Sequence, residues 1–457
     1  MGDDLIELTA TAAAAEIARG AIGAEEYCRA CLGRIAALDG DIKAFVHLDG
    51  EHALAQACAL DERRAQGHPP GALHGIPVGI KDIIDTADYP TEFGSPLAAG
   101  RRPWRDATVV AKLRAAGAVI IGKTVTTEFA YYHPGPTCNP HNGDHTPGGS
   151  SSGSAAAVAA KMVPLALGSQ TNGSVIRPAS FCGVFGVKPS HGLVSRAGIL
   201  PLSRTLDHVG AFARSLSDLA LILDVLAGPD PADPDTQPFA APDFRAVQRQ
   251  PAPLPPRFAF VRTPVWPKAD AESHAAFEEL VAALGSAVAL VDLPDSWSNA
   301  WEVHRTIMAV EMAHNLGPLV ARGTPSERLR ELLAHGGNVG AVQYLGACDA
   351  AKRYGAGFAD IFNANDAIIT PAAPGVAPKG LNSTGDPAFC TLWTLSGLPA
   401  LSLPLFAGTS GLPIGVQLVG APGRDAILLR TATALIEQLG DTKKGKRRSQ
   451  ASSVGSN

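Results

Sequence analysis

An α/β fold is what this sequence predicts, on three observations. Short apolar runs of strand length alternate with longer stretches that carry alanine and leucine at helical spacing. Glycine (48) and proline (36) are frequent enough to end and connect many elements. Apolar residues make up 46% of the 457 positions and charged residues 18%, which allows a large buried interior. No internal repeat is visible.

Taken in order, helical stretches near 4–20 and 24–38 open the chain. Around 75–81, HGIPVGIK reads as a short buried strand that delivers Lys81 at its end. Thr108 to Ala116 reads as a helix stopped by Gly117, and AVII (118–121) as an apolar strand. An irregular run rich in Pro, Gly, Asn and His fills Tyr131 to Gly149. After it, SAAAVAAKM (154–162) has the composition of a helix of small residues. A second organised block, 163–227, ends in the helix LSDLALILDVLA (216–227). The bridge 228–256, with its Asp-Pro pairs, marks a boundary or a surface insertion. Strand-like FAFV (258–261) and helical segments 272–284 and 347–363 follow. AIIT (367–370), LPALSLP (398–404) and IGVQLVG (414–420) read as further strands. A helix from Asp425 to Leu439 closes the fold, with Asp425 as its N-cap. The tail 441–457 has five basic residues and no apolar anchor, and reads as a disordered terminus.

A formal charge of −5 is small for this length and gives no electrostatic reason to expect nucleic acid or an anionic membrane as partner. The acidic start MGDDLIELTA has neither the basic opening nor the apolar core of a signal peptide. No stretch is long and apolar enough to span a bilayer. Seven scattered cysteines (Cys28, Cys31, Cys58, Cys138, Cys182, Cys348, Cys390) read as thiols of a reduced, cytoplasmic protein rather than a disulfide scaffold.

Three motif matches fail on context. GAVIIGKT (117–124) has the letters of a phosphate-binding P-loop, but a helix precedes Gly117 and AVII is itself the strand, so no loop is left to cradle phosphate. GSSSG (149–153) has the letters of a nucleophile elbow centred on Ser151, but NGDHTPG before it is no strand. His133, Cys138, His141 and His145 match no common zinc spacing.

Two serine–glycine stretches carry more information: TPGGSSSGSAAAVAA (146–160) and GSQTNGSVIRPASFCG (168–183). Glycine beside serine lets backbone approach a substrate closely and turn successive amides inward. Together with GIPVGIKD, these stretches resemble the amidase signature family, over about 60–225 and again, more weakly, in GLPALSLP and GLPIGVQLVG within 367–440. The resemblance implies one domain over 1–440, with a core at 60–225, a variable substrate-shaping region at 230–365 and a return to the core at 367–440. Its fold is a large mixed central β-sheet flanked by helices on both faces. It places the family's lysine at Lys81, its bridging serine, held in a cis peptide, at Ser150, and its nucleophile at Ser174. Ser150 and Ser174 stand 24 residues apart, the spacing expected of the family.

The chemistry fits those residue types. A serine hydroxyl needs a base to take its proton as it attacks. Lys81 can be that base only when neutral, so the ordinary lysine pKa would have to fall by roughly 3, worth about 4 kcal/mol. Burial in a polar but uncharged site lowers it in that direction. Ser150 would relay the proton between Ser174 and Lys81. The amides of Thr171, Asn172, Gly173 and Ser174 would form the oxyanion hole, where one lost donor costs about 2.7–4 kcal/mol of barrier. The implied activity is hydrolysis of carboxylic amides through an acyl-Ser174 intermediate, extending to aryl esters, anilides and carbamates or urethanes. It calls for no metal or organic cofactor.

The sequence departs from the family pattern at Gln170, where aspartate is common, and at Asn172, where glycine is common. Arg177 lies three residues after the nucleophile. In malonamidase-like relatives with a similar SVIRPA stretch an arginine there binds a substrate carboxylate, and a structural ion pair with a buried acid is the equal alternative. Tyr131, Tyr132, Phe129 and Trp393 are candidates to line an apolar acyl pocket. The partners expected are a small-molecule amide, ester or carbamate and, from the resemblance, a second copy in a homodimer, with no nucleic acid and no membrane. The alternative reading is the glutamine-hydrolysing subunit of a tRNA-dependent amidotransferase, which would use the same serines and hand ammonia to a partner protein.

Overall fold

The structure, a computed structural model, describes residues 2–236, 238–321 and 323–454, apart from the side chains of 2, 3 and 441–454. Eleven strands among these residues form one mixed sheet. In chain order they are β1 (Phe45–Leu48), β2 (Pro77–Lys81), β3 (Val119–Thr124), β4 (Leu165–Gln170), β5 (Phe185–Lys188), β6 (His208–Ala213), β7 (Phe258–Arg262), β8 (Val288–Asp292), β9 (Ala367–Pro371), β10 (Ala400–Ala407) and β11 (Pro413–Val419). Across the sheet the order is β1-β3-β2-β4-β6-β5-β10-β11-β9-β7-β8.

Every residue of β2, β3, β4, β6, β9 and β11 is buried. Both faces of those strands are therefore covered, and unbroken apolar runs such as AVII and AIIT are what such strands require. The strands expected at 75–81, 118–121, 258–261, 367–370, 398–404 and 414–420 are all present, shifted by a few residues at their ends. β2 runs parallel to both β3 and β4. That pairing brings the carboxyl ends of β2 and β4, and hence Lys81 and the turn after Gln170, to one edge of the sheet. In open α/β sheets this is the edge where ligands bind.

Several elements escape the sequence reading. The helix Gly50–Ala65 and the long helices Ala300–Val320 and Glu327–Asn338 are among them. The closing helix runs from Asp425 to Val454, so the stretch expected to be a disordered tail is helical up to that residue. Its Lys, Arg, Gln and Ala residues are good helix formers, which outweighs the lack of apolar anchors in the backbone's choice.

The helix Ser152–Ala159 packs behind the glycine-serine loop with each of its residues through Val158 buried. Gly153 makes that approach possible. A Cβ there would stand 2.1 Å from the Ala44 carbonyl oxygen and 2.4 Å from the Val125 nitrogen, both backbone atoms. Gly153→Ala is therefore expected to lose about 1–3 kcal/mol in urea unfolding, as overpacking against atoms that cannot yield does. Gly33→Ala, in the helix Ala24–Ile42 with open space around the new methyl, is expected to gain a few tenths to about 1 kcal/mol. Equal stabilities for the two variants would contradict this account of the packing.

Candidate functional site

Lys81 ends β2 with no solvent exposure. Its Nζ donates to Ser150 Oγ at 2.7 Å and to Ser169 Oγ at 2.8 Å. Among the described residues no carboxylate lies within ion-pair distance of it, unlike Lys123, which pairs with Asp82 at 3.3 Å. Burial among neutral partners pushes the Lys81 pKa well below the lysine range, and the negative charge of Asp207 acts the other way.

The peptide joining Gly149 to Ser150 is cis. The neighbouring serines are engaged elsewhere. Ser151 Oγ bonds the backbone of Ser169, Ser152 Oγ donates to Gly148 O at 2.9 Å, and Ser154 Oγ donates to Leu167 O at 2.8 Å. Ser151, the centre of the elbow-like letters, is thus tied to β4. Lys123 of the P-loop-like letters is buried within β3, donating to Thr91 Oγ1 at 2.5 Å.

Ser174 stands in the turn between β4 and the helix Ile176–Cys182. The turn is held from four sides. Gln170 Oε1 accepts from the amides of Val175 (2.8 Å) and Ile176 (3.0 Å), and Gln170 Nε2 donates to Thr394 Oγ1. Thr171 Oγ1 donates to Asp207 Oδ1 at 2.6 Å, and His304 Nε2 donates to Thr171 O at 2.9 Å. Thr391 Oγ1 donates to Asn172 Oδ1 (2.7 Å), and Thr394 Oγ1 to Asn172 O (2.5 Å). Among the described residues, the amides of Asn172, Gly173 and Ser174 donate to no protein acceptor. The two departures from the family pattern are thereby accounted for: Gln170 accepts two amides without adding charge, and Asn172 provides an extra tether.

Asp207 and His304, which hold the turn, are residues that the sequence reading does not single out. Burial raises the Asp207 pKa to about 6 against the hydrogen bonds from Thr171, Ser203 and Leu202 that lower it. Burial lowers that of His304 to about 4, so its imidazole is neutral and donates to the Thr171 carbonyl. One stands just before β6 and the other within the helix Ala300–Val320, and no local motif marks either.

Ser150, Thr171, Asn172, Gly173, Ser174, Arg177, Tyr131 and Tyr132 line one small cavity of ≈ 20 Å³, closed also by Met308 and Met312. A wider cavity of ≈ 310 Å³ lies beyond Thr171 and Leu202, which line both. Trp393 is not part of the site. It is fully buried and packs on Phe358 at 5.2 Å between ring centres, because the helix Ala388–Leu395 turns it into the core. Phe129 likewise packs inward, against Phe93.

Arg177 is 2% exposed, and its Nη2 donates to Gly149 O at 2.5 Å and Thr384 Oγ1 at 3.2 Å. Its Nε and Nη1 make no hydrogen bond of regular geometry, and the Tyr132 phenol stands against the guanidinium. No carboxylate of the described residues forms a salt bridge with it, which sets aside the structural ion pair.

The profile of the family described as Amidase matches residues 26–429. The chain belongs to the amidase family, and its large mixed sheet is the fold of the amidase signature enzymes. It is 38% identical to a glutamyl-tRNA(Gln) amidotransferase subunit from Chloroflexus aggregans, over 94% of this chain and 96% of that one. It is 36% identical to the corresponding subunit from Anaeromyxobacter sp., over 96% and 97%. Among solved structures it resembles a protein from a vestigial complex tied to the origins of an s-triazine catabolic enzyme, at TM-score 0.87 and 32% identity over 94% and 98% of the two chains. The peptide amidase of Stenotrophomonas maltophilia follows the same course at TM-score 0.82 and 31% identity, over 94% and 97%.

These relatives correct one expectation. The exclusion of nucleic acid, and of any partner beyond a small molecule or a second copy, does not stand beside near full-length relatives that are named as subunits of an enzyme of glutamyl-tRNA. Net charge averages a whole surface and bears only on direct, non-specific binding. One member of an assembly can serve a nucleic-acid substrate without carrying a basic face of its own. No described helix is long and apolar enough to cross a membrane.

Removing the Asp207 charge takes away the one group that favours protonated Lys81. Asp207→Asn is therefore expected to lower the Lys81 pKa further, read from the ε-carbon shifts of labelled lysine over a pH series. An unchanged or raised value would show that the Asp207 charge does not reach the ammonium.

Proposed function

We propose that this chain hydrolyses the carboxamide of a compact substrate that carries a carboxylate a few bonds away, with glutamine as the leading candidate. It would do so as the amide-cleaving subunit of a larger assembly. The observation that carries this reading is Arg177, a buried guanidinium beside Ser174 that forms no salt bridge among the described residues and has only a neutral phenol, that of Tyr132, against its free side. A bidentate carboxylate is the ligand such a fork accepts best. The near full-length similarity to amidotransferase subunits favours glutamine and an assembly.

In this reading neutral Lys81 takes a proton from Ser150 as Ser150 takes one from Ser174, whose Oγ attacks the amide carbon. Charge on the tetrahedral oxygen falls on the free amides of the 171–174 turn. Collapse breaks the C–N bond, and the proton returns through Ser150 to the leaving nitrogen, which departs as ammonia. Water, deprotonated by the same relay, then cleaves the Ser174 ester and frees the acid. The helix Ala300–Val320, inside the region 230–365, supplies His304, Met308 and Met312, which supports a substrate-shaping role for that region.

A second reading, a hydrolase acting alone on small amides, is favoured by the likeness to peptide amidase. Aryl esters, anilides and carbamates belong to it, and cytoplasmic residence is compatible with either.

The purified chain is to be assayed for ammonia release from glutamine, succinamate and butyramide, alone and with candidate partner subunits. Ser174→Ala is expected to abolish turnover. Arg177→Met is expected to raise KM about tenfold or more for the carboxylated amides only, the size of a lost charge-assisted hydrogen bond, without lowering the unfolding midpoint. Undiminished turnover in Ser174→Ala would remove the nucleophile, and an unchanged preference in Arg177→Met would remove the carboxylate anchor.

The pH profile tests the base. Lys81 acts neutral, so kcat/KM should rise with pH through a limb well below the ordinary lysine pKa of 10.5. Asp207 raises that pKa, so Asp207→Asn should move the limb to lower pH. A limb that stays in the ordinary lysine range would exclude a buried Lys81 base.

A further inference from the structure

The cavity around Ser174, at ≈ 20 Å³, is narrow and holds about one water molecule. Tyr132 is one of the side chains that narrow it beside Arg177. Its side chain lines the cavity with Ser150, Ser174 and Arg177, and its hydroxyl faces the Arg177 guanidinium and the Asn172 side chain. A carboxylate that bonded Arg177 would compete with that hydroxyl for the guanidinium.

The backbone presents Tyr132 there at a cost. Phe129 and Ala130, neither of them glycine, sit consecutively at φ 45° and 55°. Left-handed non-glycine residues persist only where the surroundings hold them. Here Phe129 N donates to Phe93 O, Ala130 N to Thr127 O and Tyr131 N to Glu128 O. The Glu128 carboxylate is fixed in turn by Ser95 Oγ and the Ser326 amide. On the other side Glu128 N donates to His133 O, which closes the segment over Tyr132. The backbone is pinned before and after Tyr132, so this side chain can move by rotation without the segment that carries it.

We propose that Tyr132 is a specificity-determining plug: its phenol stands in for the substrate's carboxylate against Arg177 and has to be displaced by any acyl chain long enough to reach that guanidinium. This rests on the reading of Arg177 as the anchor of the acyl end. Burial keeps the phenol neutral, so its contact with the guanidinium is weaker than the charge-assisted pair a carboxylate would make. A carboxylated chain recovers what displacement costs. A neutral chain of the same length recovers nothing and is rejected, and a chain too short to touch the phenol is indifferent to it.

The test uses the full chain carrying Ser174→Ala, so that binding is read without turnover, and three probes titrated by NMR: succinamate, butyramide and acetamide. Adding Tyr132→Phe removes the hydroxyl and leaves the ring. The expected result is that succinamate and butyramide each bind about tenfold more tightly, the contribution of one hydrogen bond to a charged group, while acetamide binding moves by less than about twofold, since no contact of its own is lost. Tyr132→Ala should go further for the two longer probes. Weaker succinamate binding in Tyr132→Phe would overturn the proposal by making the phenol a partner of the bound carboxylate, and unchanged binding of both longer probes would overturn it as well. Adding Arg177→Met separates the two ideas. If butyramide still gains from Tyr132→Phe but Arg177→Met leaves succinamate no worse off than butyramide was, the plug stands and the carboxylate anchor falls.

Discussion

The site depends on a lysine ammonium withdrawn from water without an anion to receive it. Lys81, Lys123 and Lys188 are all buried on strands, and they differ in what meets the charge. Lys123 has Asp82, and burial lowers its pKa only to about 8. Lys188 donates to the Leu398 and Pro189 carbonyls and falls to about 7. Lys81 has two serine hydroxyls, and burial drives it well below its usual value. Desolvation acts on all three, and the partner decides how far each goes. A hydroxyl can accept from an ammonium or donate to an amine, so Ser150 and Ser169 suit either protonation state of Lys81. A carboxylate would hold the charged form.

On the opposite side the turn 171–174 keeps three amides free of any acceptor among the described residues. It is held by Asp207 at the entrance to β6, by His304 from the helix Ala300–Val320, and by Thr391 and Thr394 from the helix Ala388–Leu395. Each tether takes a side chain or a carbonyl of the turn and leaves the amides alone. Preorganised donors of this kind need no rearrangement when charge develops on a reacting oxygen. Residues remote in the chain are thus part of the site through the turn they hold.

This division explains what is legible in the sequence. GIPVGIKD, TPGGSSSG and GSQTNGS are local, because glycine, serine and lysine must lie in contiguous turns to build the loop, and they lead to Lys81, Ser150 and Ser174. The buried strands are legible as apolar runs. Asp207 and His304 leave no such mark, since one aspartate or histidine looks like another until the sheet brings it across. Trp393 misleads for the related reason that a large aromatic near a site reads alike whether its helix turns it toward the cavity or toward Phe358. The partner expectation fails on a different point: a net charge describes the solvent-facing average, and association through a specific surface leaves it unchanged.

Arg177 shows how the same physics serves binding. A guanidinium buried to 2% exposure with no salt bridge among the described residues destabilises the free protein, because its desolvation is repaid only in part by the Gly149 carbonyl and the Thr384 hydroxyl. A resident aspartate would remove that cost and would also occupy the fork. A neutral phenol at the fork, that of Tyr132, supplies no counter-charge, so on the proposed reading the missing half of the ion pair comes from the ligand, and part of the binding energy is stability that the free protein forgoes. The two cations of the site therefore divide the work. Burial favours the neutral form of Lys81, and Arg177, which cannot lose its proton, would take its counter-charge from the ligand on the proposed reading.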